Sequence, residues 1–210
     1  MPVEWMKRCE EKSVLLLEGN DDCNIIKNFC KYNGIEINFG FCNCRNDSQV
    51  LSKINALLRE NNQPKIIGVI LDADNDIDER YQDIKEKVKN FYKLPKNMPK
   101  DGLVHLEKGL PKLGIWIMPN NQDNGALEEF YLELATDIDT AFINNTIQEA
   151  EKKELTSFKS QHRKKAIMHT YFAWQDTPGM PLHAAINKIV LDNNAEIAHV
   201  FKGWLISLFN

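Results

Sequence analysis

Short unbroken apolar runs alternate with amphipathic stretches through the first two thirds of the chain. Lys65–Leu71 (K-I-I-G-V-I-L) is apolar on both alternating faces, which predicts a strand buried from both sides, as in a parallel sheet. Ser13–Leu17 and Gly114–Pro119 read the same way, Ile35–Phe41 alternates as a strand, and Leu103–Leu106 is a brief strand in a Pro/Gly-rich loop. Between them, Asn20–Tyr32 sets Ile25, Ile26, Phe29 and Cys30 on one helical face and stops at Asn33-Gly34. Gln49–Arg59, with Asp47 and Ser48 as caps, Asp76–Tyr92 and Ala126–Leu134 are the next helices. The alternation predicts an α/β fold, a mainly parallel sheet flanked by helices.

From Thr136 onward the strands stop. Ala141–Phe158, Ser160–Trp174, Leu182–Leu191 and Ala195–Phe209 read as helices, with a rigid turn at Trp174–Pro181. The expected organisation is an α/β domain over residues 1–135 and a helical region over 136–210, packed on it or forming a small cap.

The chemistry lies where the strands end. Side chains alternate along a strand, so Asp72 and Asp74 are expected on one side of the central strand's carboxyl end, the place where open α/β sheets bind ligands. Two such carboxylates repel, and a divalent cation relieves them; Mg²⁺ accepts one or two carboxylates completed by water or phosphate. The competing reading is a helix junction in which Asp74 or Asp76 caps the next helix. Glu18 ends the first strand, and successive βα units share a direction, so it is expected at the same edge. Asp22, and Glu128 or Glu129 after Gly125, are further acids at strand-to-helix junctions. Each is also a favourable first-turn charge.

The order V-L-L-L-E-G (Glu18), then L-D-A-D-N-D (Asp72, Asp74, Asp76) with Arg80 downstream, then G-A-L-E-E-F at Gly125–Phe130, resembles the Toprim domain of topoisomerases, bacterial primases and OLD-type nucleases. It looks most like an uncharacterised prokaryotic branch of Toprim-related proteins and covers roughly residues 13–135. The resemblance implies Mg²⁺ (or Mn²⁺) dependent phosphodiester chemistry, as a nuclease on DNA or RNA. Glu18, Asp72 and Asp74 would be catalytic and face the metal; Asp76 is a further metal candidate, and Asp22 and Glu128 additional ones, from their own positions at the same edge rather than from the resemblance. It also implies a separate ATPase partner, since this chain carries no ATPase motif, and it leaves a homo-oligomer open. Two rivals stand beside it. One is a non-catalytic, metal-dependent nucleic-acid-binding or assembly module. The other is a haloacid-dehalogenase-like phosphatase with Asp72 as nucleophile, although that family places its D-x-D on the first strand.

Charge changes the picture in one respect. Residues 1–150 hold 18 Lys/Arg against 25 Asp/Glu, whereas residues 151–210 hold 8 against 5. The basic cluster Lys159, His162, Arg163, Lys164, Lys165, supported by Lys152 and Lys153, can hold a phosphate backbone or form a solvated helix face. The five cysteines are odd in number, lie within the first 44 residues and form no CxxC pair, so they read as reduced structural thiols. The histidines show no metal-type spacing, and no GxGxxG, Walker or GxSxG motif is present. No apolar run reaches the roughly 20 residues of a membrane span. A cytoplasmic protein without membrane contact is the expectation.

Overall fold

The computed structural model describes residues 9–135, 138–185 and 191–210. Strands β1 (Ser13–Leu17), β2 (Gly40–Asn43), β3 (Ile66–Asp72), β4 (Leu103–His105) and β5 (Lys112–Met118) form one sheet in the order β2-β1-β3-β5-β4. All pairings are parallel except that of the short edge strand β4 with β5. Helices α1 (Asn20–Tyr32), α2 (Asp47–Leu57), α3 (Ile77–Val88) and α4 (Leu127–Leu134) cover its two faces. This is the α/β sandwich that the apolar runs predict.

Strand order dictates which face each helix takes. The path β1–α1–β2 steps one way along the sheet, while β2–α2–β3 and β3–α3–β5 step the other way. With right-handed crossovers, α1 must lie on one face and α2 and α3 on the opposite one. The apolar clusters agree: Leu15, Leu17, Ile70 and Trp116 pack with α1 and α4, and Val14, Leu16, Ile67 and Val69 pack with α2 and α3. The direction reverses between β1 and β3, the switch point of the sheet.

Some boundaries differ from expectation. Ile35–Asn38 is not strand: the Ile35 amide donates to Cys30 O at 2.8 Å to close α1, and pairing with β1 begins only at Gly40, opposite Val14. The cap of α2 is Asn46, whose side chain accepts from the Gln49 amide at 2.9 Å. Helix α5 (Thr140–Lys152) is shorter than expected, and a short 3-10 turn at Ser160–His162 precedes α6 (Arg163–Ala173). The helix expected over Leu182–Leu191 is described only as α7 (Leu182–Ala185); residues 186–190 lie outside the described residues.

The cysteine reading is corrected. Cys9 and Cys42 form a disulfide, because the segment entering β1 brings Cys9 beside β2, with a Cα separation of 4.7 Å. Cys23, Cys30 and Cys44 are free and buried. Burial pushes the thiols of Cys23 and Cys30 up to about 12 and that of Cys44 to about 11.

Helix α8 (Glu196–Phe209) packs on the α1 face. Gly68 and Gly114 are partners across β3 and β5, and their missing side chains leave a seat for Leu208. A Cβ on Gly68 would stand 2.7 Å from Leu15 Cδ1 and 3.0 Å from Leu208 Cδ2, and one on Gly114 would overlap Leu208 outright. Around that seat Phe201 meets Trp116, Phe29 and Phe130 with ring centroids 4.8, 5.1 and 5.3 Å apart. The Trp204 indole donates to Leu103 O at 3.0 Å, and Lys112 Nζ donates to Leu208 O at 2.8 Å, a cation on the helix's C-terminal carbonyls.

Gly114→Ala is expected to lower stability by about 1–3 kcal/mol, the cost of overpacking, and Leu208→Ala in the same background to recover part of it; urea titrations of the two variants measure this. Thiol titration of the unfolded, unreduced chain is expected to find three reactive cysteines, the folded chain none.

Candidate functional site

Glu18 follows the last residue of β1, and Asp72 is the last residue of β3, so the two acids meet at the switch point. Glu18 Oε1 accepts from the Asp72 amide at 3.1 Å. Asp22 lies in the first turn of α1, behind Gly19, where a Cβ would come within 2.9 Å of its Oδ2.

Asp74 does not continue the strand as the alternation predicts. Its backbone is left-handed (φ 53°), and its amide donates to Gly125 O at 2.8 Å. Asn124 fastens the same two loops: its Oδ1 accepts from the Ile77 amide at 3.0 Å and its Nδ2 donates to Asn75 O at 2.6 Å. Arg80, 9% exposed, holds the arrangement from α3. It donates through Nε to Asp72 O at 2.8 Å, through Nη1 to Asp47 Oδ2 at 3.0 Å and through Nη2 to Asp74 Oδ2 at 2.9 Å. Arg80 is thus a brace between loops.

A cleft of about 690 Å³ opens here. Asp72, Asp74, Asn75, Asn124 and Glu128 line it from the sheet edge, and His162, Lys164 and Lys165 line it from the start of α6. Glu128, its side chain 17% exposed, pairs with Lys165 at 3.2 Å. Glu18 and Asp22 touch the cleft through Asp72 rather than as lining residues.

Other expected residues go elsewhere. Asp76 caps α3, accepting from the Glu79 amide at 3.0 Å, and does not line the cleft. Glu129 also lines the cleft, but its carboxylate is engaged in capping α4, where it accepts from the Ala126 amide at 2.9 Å. Arg163 points to α5, bonded to Glu151 at 2.6 Å and Asn144 at 2.9 Å. Lys152 pairs with Glu149, and Lys159 is exposed outside the cleft.

The site is electrostatically strained. Burial, then Glu18, Asp22, Asp74 and Glu128, push the Asp72 carboxyl well above the ordinary carboxylate range. Burial raises Glu18 as well, with the Asp72 amide partly offsetting it and Asp22 adding to it, and burial also raises Asp22. Asp47, hydrogen-bonded to Arg80, goes the other way. Among the described residues the Asp72 carboxylate accepts no hydrogen bond and meets no cation; Arg80 reaches only its carbonyl. The Tyr131 hydroxyl is buried without a hydrogen-bond partner, and Asp22, Asp21 and Glu128 act on it after burial itself. Asp47, Asn124 and Tyr131 carry no spacing signal that marks them; only the fold brings them to the acids.

These residues fit a hard cation in a limited way. The donors are carboxylate oxygens, which suit Mg²⁺ or Mn²⁺. No group of three or more His, Cys, Asp or Glu among the described residues stands ready to hold one ion. An ion here would therefore take one or two carboxylates and complete its shell with water or substrate oxygens.

Residues 12–210 match the family described as "Protein of unknown function (DUF3226)". The chain belongs to that family. Its match takes in the sheet, the acid cluster and the C-terminal helices together. No curated protein and no solved structure matches the chain.

A carboxyl whose folded pKa is raised contributes least at neutral pH: its stability is full below the ordinary carboxylate value and is lost as pH rises through the raised one. Asp72→Asn is therefore expected to stabilise the cation-free protein at pH 8 by on the order of 1–2 kcal/mol, about 2–8 °C in Tm. The gap closes as pH falls below about 3, where the acid is protonated in both states. Thermal melts in chelator at the two pH values measure it.

Proposed function

We propose that this is a divalent-cation-dependent protein acting on phosphodiesters, most simply a nuclease. The observation that carries the reading is the Asp72 carboxylate, half-buried and unpartnered against Glu18 at the sheet's switch point, at the edge of a cleft whose other side is His162, Lys164 and Lys165. The resemblance to Toprim domains supports it, since the Glu and the Asp-x-Asp that carry that likeness are the residues that end β1 and β3.

Asp72 would hold the ion with Asp74 or Glu128, the carboxylates that share its cleft. When bound, Mg²⁺ supplies neutralisation of charge on a phosphate and orientation of a water. The chain's own residues do the rest. Glu18, raised by burial and fixed on the Asp72 amide behind the cleft wall, is suited to exchange a proton with the attacking or leaving oxygen through one water. Lys164 and His162 meet the phosphate backbone across the cleft. Arg80 keeps Asp74 in place while its own charge stays engaged with Asp47.

A second reading, metal-dependent binding without cleavage, is favoured by two observations: Asp74 is held by Arg80, and no three-ligand group is preformed among the described residues. No helix among the described residues is long and apolar enough to cross a membrane. A cytoplasmic setting and a separate ATPase partner belong to the same reading.

Cleavage of duplex DNA, single-stranded DNA and structured RNA, with Mg²⁺ or Mn²⁺, tests it. Glu18→Gln is expected to slow cutting by about 10²–10⁴-fold, and Asp72→Asn/Asp74→Asn to abolish it together with Mn²⁺ binding. Cutting that persists in both variants would sink the assignment. Mn²⁺ binding that disappears in the double variant, without cutting by the wild type, would select the binding role.

A further inference from the structure

We propose that Lys165 is a tethered counter-ion of the acid cluster: it holds Glu128 while the cleft lacks a divalent cation, competes with that cation, and is released into the cleft when the cation binds. The inference rests on the reading above, selects Glu128 over Asp74 as the second ligand and adds Lys165 as its regulator.

Three observations lead there. Glu128 and Asp74 are both cleft acids held in ion pairs, and Glu128 is much the more enclosed, with 17% of its side chain exposed against 60% for Asp74. Its partner Lys165 comes from a different element, α6, and is 54% exposed, so its ammonium can leave without unfolding anything. The same Glu128 acts on Asp72, Asp22 and the unpartnered, fully buried Tyr131 hydroxyl, so it belongs to the cluster and not to a surface pair.

The physical consequence is a competition. A carboxylate cannot give the same oxygen fully to an ammonium and to a divalent ion, and the divalent ion interacts with all the clustered acids while the ammonium is held at 3.2 Å from one. Released, the ammonium stays on the cleft wall beside Lys164 and His162, next to the position a phosphate would take. The pair therefore couples occupancy of the cation position to the presence of a free cation on the opposite wall.

Direct Mn²⁺ binding, read from the electron paramagnetic resonance signal of free Mn²⁺ at low salt, tests this. Lys165→Met is expected to tighten Mn²⁺ binding about two- to fivefold, the scale of a partly exposed ion pair, and Lys165→Arg to remain near the wild type. In a Glu128→Gln background, Lys165→Met is expected to have no effect. An unchanged or weaker affinity in Lys165→Met overturns the inference, as does an equal gain in the Glu128→Gln background, which would mark a long-range charge effect only. Binding by the wild type that is lost in Asp72→Asn, with no response to Lys165, leaves the cation reading standing and this inference refuted. Absence of binding in the wild type and every variant refutes both.

Discussion

One guanidinium sets the geometry of the sheet's carboxyl edge. Arg80 is nearly fully buried, yet it reaches the end of β3, the start of α2 and the left-handed residue Asp74 through three separate nitrogens. A buried arginine needs its donors satisfied, and two carboxylates and a carbonyl satisfy them here. The position of Asp74 is set by this bond and by its amide on Gly125, not by strand alternation. Without the brace, the β3–α3 loop and the first turn of α2 would carry unpaired acids beside an already crowded carboxylate.

The brace leaves one acid out. Arg80 takes the carbonyl of Asp72 and the carboxylates of its neighbours, so the Asp72 carboxylate stays half-buried among like charges. Folded proteins retain such strain chiefly where it is used. The neutralising charges of this edge sit on different elements: Arg80 on α3, turned inward, and Lys165 on α6, turned to the cleft. A permanent cation holds the loops, and a mobile one faces the acids across the cleft.

The apolar runs made the architecture legible. Lys65–Leu71 and Gly114–Pro119 read as strands buried on both faces, as in a parallel sheet, and the Asn33-Gly34 stop bounded the first helix. Ile35–Asn38 misled because its alternation is not a buried one: Ile37, apolar in the pattern, lies exposed on a loop. Glu18 and Asp72 were legible because both end apolar strands whose shared direction is fixed by βα connections. The roles of Asp47, Asn124 and Tyr131 were not legible, since each depends on a loop or helix start arriving from a distant part of the chain. Arg163 read as part of a basic face, but its helix turns it toward Glu151 and Asn144. The Cys9–Cys42 bridge was hidden for the same reason: nothing in the spacing reveals that the segment before β1 passes beside β2.

The glycine seat under Leu208 has a bearing on how the molecule forms. The floor of the seat is built from residues 68 and 114, and its occupant comes from residue 208, so the contact with Gly68 spans well over half the chain. Contacts of such separation slow folding, because a long loop must close before they reward it. Until α8 arrives, the α1 side of the sheet keeps Trp116, Phe29 and Phe130 open to water or to other chains. Synthesis from the N-terminus therefore produces the acid edge early and the apolar cover late, and a waiting chain is most exposed on the face opposite α2 and α3.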